Sequence, residues 1–224
     1  MEDKQYYGVL GEQINERDYL VSESGLIIPR APKGTNSFIL NGATQYNQVE
    51  AGKYSCTIHG AMGAYSDLTG FKFSLEQRKE IWQEAILRGA DPSVGWWINK
   101  AVALVRDWVN ANCPDKVDYY RTELDNFDCL SVMRLGYSPI IGYNGSQLFS
   151  LDKADGILDR TSFSPRTHGH CLRATYSAFD EYDLMPDNYP YKHLNIYRVP
   201  TRNWNSLVAN GVFFKSAYIY ILQS

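Results

Sequence analysis

Apolar positions fall at helical spacing in the first half of the chain and at strand spacing in the second. Ile58, Ala61, Met62 and Tyr65 recur at offsets of three and four behind Ser55, a good N-cap residue, so a helix is predicted to open at Cys56. Ser74 followed three residues later by Gln77 forms a capping box, and Leu75, Ile81, Trp82, Ala85 and Ile86 line one face of a second helix ending near Gly89. Trp97, Ala101, Leu104, Val105 and Trp108 mark a third, which stops around Asn112-Cys113-Pro114. The period then changes. Pro139 to Tyr143, Cys171 to Tyr176, Leu194 to Val199 and Val212 to Leu222 read as strands separated by Asp, Asn, Pro and Gly. Residues 1–47 show little periodicity; Pro29-Arg30-Ala31-Pro32-Lys33-Gly34 excludes a helix there, and Gly25 to Ile28 reads as a short strand in an extended arm. Helices first and strands later predict an α+β fold. No repeat, low-complexity tract or linker divides the chain, so one domain over 1–224 is expected.

Composition narrows the function classes. With 224 residues, 21% charged and 44% hydrophobic, the chain can bury a sizeable core without disulfide help and is neither disordered nor a coiled coil. A net charge of -3 and the absence of any Lys/Arg cluster argue against a nucleic-acid ligand. No stretch is apolar enough to span a membrane, and the segment MEDKQYYGVLGEQ lacks the apolar centre of a signal peptide, so a cytoplasmic location is expected. Cys56, Cys113, Cys129 and Cys171 are too few and too unevenly spaced for a disulfide framework or a zinc site and are expected to be reduced thiols. The 14% aromatic content, with 17 Tyr, suits a surface that recognises peptides, sugars or partners.

The chemistry centres on Cys56. A cysteine attacks as thiolate, and the open amides and dipole of a helix N-terminus favour that charge. Gly52-Lys53-Tyr54-Ser55-Cys56 is a loop feeding directly into a small-residue helix. A base must come from a histidine: His59, His168, His170 or His193. His59 lies about one turn along the same helix and reads as a packing residue, whereas His168-Gly169-His170 immediately precedes a predicted strand that would hold a ring rigidly. The alternative is a buried small cysteine and an ordinary strand-end histidine.

These residues resemble the papain superfamily. Gln48 preceding Cys56 and its small-residue helix is similar to the oxyanion-hole glutamine and nucleophile of that family; Ser74-Leu75-Glu76-Gln77, Gly136 to Ile141, Gly169-His170-Cys171-Leu172 and Asn205-Ser206 before Ala217 to Ile221 follow in the family's order over roughly residues 45–222. The resemblance is closest to compact, propeptide-free members from bacteria and their phages. It implies a helical lobe over about 50–130, a β lobe over about 131–224 joined by part of the N-terminal arm, and a cysteine peptidase that needs no cofactor. Cys56 would be nucleophile, His170 base, Asn205 the residue orienting the imidazole and Gln48 an oxyanion donor. A peptide or protein would be the substrate, and a phage-encoded copy would be virion-associated. The pattern departs in places. Gln48 is eight positions before Cys56, which leaves Gln45 as an alternative; Thr57 stands where tryptophan is usual; the tryptophan-glycine repeat is missing; and Asn203 competes with Asn205, as His168 does with His170. An extended hairpin from Asp180 to His193 is required between His170 and Asn205. Peptidoglycan cleavage by the same residues, and an inactive structural or interaction protein of this fold, are the alternatives.

Overall fold

The computed structural model describes residues 46–124, 128–144, 169–174, 182–186, 196–211 and 213–223. The predicted extended arm, including Gln45, and His168 and His193 lie outside them. The described elements run α1 (Gln48–Ala51), α2 (Cys56–Thr69), α3 (Leu75–Leu87), α4 (Ile98–Asn112), β1 (Val117–Glu123), α5 (Asp128–Arg134), β2 (Ile140–Asn144), β3 (Gly169–Arg173), β4 (Tyr182–Pro186), β5 (Ile196–Pro200), a 3₁₀ turn (Thr201–Asn203), α6 (Trp204–Ala209) and β6 (Phe213–Leu222). The fold is α+β with an antiparallel sheet.

The three predicted helices form, and one of the predicted local signals, the capping box, is made as expected, whereas Ser55 does not cap the helix that opens at Cys56. Ser74 Oγ accepts from the Gln77 amide while the Gln77 side chain accepts from the Ser74 amide, so both halves of the capping box are made at the start of α3. α2 ends at Gly70, whose φ of 79° is the left-handed conformation that glycine adopts without a Cβ penalty. All fourteen residues of α2 are buried, polar ones included. A helix enclosed on every side draws its stability from its neighbours.

Four strands form a sheet in the order β1-β6-β2-β3, and β4 pairs with β5 in a separate two-stranded sheet. β2 and β3 are antiparallel with Tyr143 opposite His170 and Gly142 opposite Cys171. Side chains alternate across a strand, so the sheet sends residues into two cores. On one face Ile58, Met62, Tyr65, Ile81, Trp82, Val105, Ile140, Cys171 and Tyr220 share a cluster with α2, α3 and α4. On the other, Ile141, Tyr143, Leu172, Phe213 and Ala217 pack with Met185 of β4, Tyr197 of β5 and Trp204 of α6. Each aliphatic side chain fully buried in this way contributes about 1.5–3 kcal/mol.

The pattern reading needs correction at four places. β1 was not expected: Asp118, Arg121 and Glu123 break its apolar alternation, which an edge strand tolerates, and it pairs with β6 from Val117–Leu222 to Glu123–Ser216. α5 and β4 were also unexpected; β4 pairs antiparallel with β5, which lies beyond the Asp180–His193 stretch expected to hold a hairpin and matches the strand predicted from Leu194. β3 starts two residues early and ends at Arg173, which places His170 inside the strand. Finally, Asn203 and Asn205 do not stand on an extended chain; they belong to a 3₁₀ turn and a helix. No helix among the described residues is long and apolar enough to cross a membrane.

Candidate active site

Two glycines on α2 set its distance from β3. A Cβ on Gly60 would stand 3.1 Å from Sγ of Cys171, and one on Gly63 would stand 2.6 Å from Nη1 of Arg173. α2 therefore packs closely on β3, with Gly60 against Cys171 and Gly63 against the Arg173 side chain.

The register is locked by charge. Asp67, three turns along α2 from Cys56, accepts from Nε of Arg173 at 2.6 Å and from Oγ of Ser138 at 2.8 Å. Both partners of the ion pair are buried. At this depth the pair holds only because each group is matched by the other.

Cysteine and histidine sit differently on this frame. Cys56 opens α2 and its side chain belongs to the core on the helical face. Cys171 and Arg173 point at α2, so the alternation of β3 turns His170 and Leu172 to the other side of the strand. There the His170 ring meets Tyr143 edge-on, with centroids 5.4 Å apart and an interplanar angle of 72°. β3 is the outer strand of its sheet. Cys56 and His170 are both 0% exposed.

The loop before α2 gathers Gln48. The eight-residue separation from Cys56 is taken up by the single turn α1, capped by the Asn47 side chain, and by a turn at Lys53-Tyr54. Gln48 is buried; its Nε2 donates to the Lys53 carbonyl at 2.8 Å, and its Oε1 has no hydrogen-bond partner among the described residues. The loop passes so close to α3 that a Cβ on Gly52 would clash with the Trp82 indole, and only glycine fits.

Ser55 occupies the N-cap position of α2, but its side chain does not cap the helix. Its hydroxyl donates to the Gly52 carbonyl at 2.6 Å and meets Nδ1 of His59 at 2.9 Å; the same Nδ1 is 3.0 Å from the Ser55 carbonyl. The first amides of α2, at Cys56, Thr57 and Ile58, have no acceptor within the helix and receive none from this side chain. No family model and no curated protein matches the chain. The chemistry must therefore be argued from this geometry.

Burial pushes the His59 pKa down to about 3, and the Arg78 guanidinium adds to the effect against the hydrogen bond to the Ser55 carbonyl. His59 is consequently neutral near pH 7, in keeping with a packing histidine. Asn205 lies on the exposed side of α6, opposite the face that buries Trp204, Leu207 and Val208. Trp204 takes the interior position and donates from Nε1 to Oδ2 of buried Asp183 at 2.6 Å. Asn203 is half-buried in the 3₁₀ turn. The structure therefore groups Gln48, Ser55, Cys56 and His59 in one loop and helix start, sets His170 against Tyr143 on the other side of β3, and puts Asn205 on the surface. The diverted Ser55 hydroxyl escaped sequence reasoning. Its one signal was a histidine four residues after an N-cap serine, a spacing that puts both on one helix face.

Proposed function

We propose that this chain is a papain-like cysteine hydrolase acting on peptide bonds, with Cys56 as nucleophile and His170 as base. The observation that supports it most directly is the start of α2 at Cys56, where the Ser55 side chain does not cap the helix. An open helix end favours a thiolate and offers amide donors to the oxyanion that forms when the sulfur attacks a carbonyl. In this reading the His170 ring leaves Tyr143 and comes round the outer edge of β3 to take the Cys56 thiol proton, and the sulfur bonds to the carbonyl carbon. The amine leaves with that proton, and water then cleaves the thioester. Gln48 would turn its amide from the Lys53 carbonyl toward the oxyanion. One such donor is worth on the order of 3 kcal/mol. Asn205, on the surface of α6, has no part in this scheme.

Incubating the protein with a casein digest and with purified peptidoglycan, followed by mass spectrometry, tests the reading. New peptide-bond cleavage by the parent and none by Cys56→Ala supports it; cleavage confined to peptidoglycan stem peptides moves the substrate and keeps the mechanism. A different observation favours a second reading. Both Cys56 and His170 are wholly buried, and the His170 ring packs on Tyr143, as in an inactive member of this fold that serves as a structural or interaction protein. Inertness toward both substrates, with Cys56 no more reactive than Cys113, would establish that alternative.

A further inference from the structure

We propose that the groove between α3 and α4 is the docking site of this chain's own N-terminal arm, filled by the segment from Leu26 to Lys33, with Arg30 and Lys33 set against the carboxylates of α3. The inference is independent of the chemistry at Cys56.

The groove has a volume of about 450 Å³. Leu87 and Trp108 give it an apolar lining, while Glu80, Glu84 and Asp107 bring three carboxylates against one guanidinium, that of Arg88. Arg88 is already engaged: its Nε lies 2.8 Å from Oε1 of Glu84 and its Nη1 lies 3.5 Å from Oδ2 of Asp107. Glu80 accepts from the Trp108 indole at 3.2 Å, a bond to a neutral donor that does not offset its charge. Leu87 is 82% exposed, an apolar surface whose burial stabilises whatever covers it. The surface therefore fits an occupant that is apolar along one edge and basic along another.

The start of the described chain points to that occupant. Tyr46 packs edge-on against Phe73, with centroids 6.0 Å apart, and Phe73 lies 5.7 Å from the Trp108 ring that lines the groove. The arm thus joins the folded body one aromatic ring away. Its acidic residues all lie at Glu23 or before, whereas residues 24–49 carry two cations, Arg30 and Lys33, and no acidic side chain. Pro29 and Pro32 fix their own φ and push Ile28 and Ala31 toward extended backbone, which favours polyproline II. That helix has three residues per turn, so Leu26, Pro29 and Pro32 share one edge while Arg30 and Lys33 share the next. Arg30 and Lys33 stand about 9 Å apart along it, against about 6 Å between Glu80 and Glu84 on α3, a difference that two long side chains take up. Polyproline segments dock on aromatic-lined grooves in this way. The stretch from Gly34 to Gln45 reaches about 40 Å when extended, well beyond the roughly 12 Å from Glu80 to Arg88. A second copy bringing the same face would set carboxylate against carboxylate and be repelled.

The test is zero-length carbodiimide coupling of the full chain, which joins a lysine to a carboxylate where the two meet as an ion pair, read by mass spectrometry. A mixture of unlabelled and heavy-nitrogen protein separates links within a chain from links between chains. Lys33 is expected to link to Glu80 or Glu84 of its own chain. A second measurement is the rate of trypsin cleavage after Arg30 and Lys33, with cleavage after Arg17 as the internal reference. Glu80→Gln/Glu84→Gln, with circular dichroism confirming the fold, should speed cleavage after Arg30 and Lys33 about two- to tenfold and leave Arg17 unchanged, the scale of losing two surface ion pairs. Arg30→Ser should speed cleavage after Lys33 in the same direction, and this arm stands even if the α3 variant does not fold. Absence of a Lys33 link, or links from Lys33 to carboxylates outside the groove, would overturn the proposal. So would links between chains, which would assign the groove to another copy, and an unaltered rate after Lys33 in either folded variant. None of these outcomes touches the reading of Cys56.

Discussion

Replacing Asp67 by alanine removes one half of the buried ion pair that seats α2 on β3. Arg173 would keep its charge out of solvent and without the Asp67 carboxylate, since both side chains are at most 1% exposed. Ser138 would lose the acceptor for its hydroxyl. Breaking a buried pair on one side costs about 3–5 kcal/mol, and in a chain of this size each kcal/mol shifts Tm by about 2–4 °C, so a fall of roughly 6–20 °C is expected. The assay is urea and thermal unfolding of parent, Asp67→Ala, Arg173→Met and the pair Asp67→Leu/Arg173→Met. The double variant should recover most of the loss, because two apolar groups in place of two matched charges are close to neutral. A loss below about 1 kcal/mol in Asp67→Ala, or additive losses in the double variant, would refute the argument that this pair fixes the helix register.

Other consequences follow from the same contacts. Gly63→Ala puts a methyl against the Arg173 guanidinium and should destabilise the protein by about 1–3 kcal/mol in urea titrations, whereas Gly89→Ala meets no neighbouring atom and is strained only by its φ of 97°. His59 titrates near 3 in the folded chain against 6.5 unfolded; its contribution to stability is therefore whole above pH 6.5 and lost as pH falls toward 3. Between pH 6.5 and 4.5 the parent should lose about 2–3 kcal/mol more unfolding free energy than His59→Gln, measured by chemical denaturation, and parallel pH curves would contradict the assignment. Trp204→Phe deprives buried Asp183 of its 2.6 Å donor and should cost about 1–3 kcal/mol, whereas Asn205→Ala on the exposed side of α6 should stay within about 0.5 kcal/mol by thermal unfolding.

The parts legible from sequence were those decided locally. The Ser74 capping box, the stripe from Ile58 to Tyr65 and the apolar run ending at Leu222 each carry their signal within a few residues, and the elements formed there. β1 was illegible because its fold partner lies a hundred residues away in β6, and the pairing overrides a charged sequence. α6 was misread for a different reason: the Asn203-Trp204-Asn205 alternation suggested an extended chain, while Trp204, Leu207 and Val208, spaced three and four apart, carried the helical signal that the structure follows. At the candidate site, Cys56 at a helix start was legible. The direction of the Ser55 hydroxyl was not, since it depends on the carbonyl of Gly52, in a turn held against the Trp82 indole of a different helix.

The complete enclosure of α2 bears on when its chemistry can exist. A segment with Gly60, Gly63, Thr57 and Thr69 has little intrinsic tendency to coil on its own, so a peptide spanning it would be unstructured and its cysteine an ordinary thiol. The helix end that could activate Cys56 appears only after β2, β3 and β6, supplied by the last hundred residues of the chain, have assembled beneath it. A nascent or truncated protein would thus be chemically quiet, and the amides of α2 would exchange with deuterium only through opening of the whole molecule.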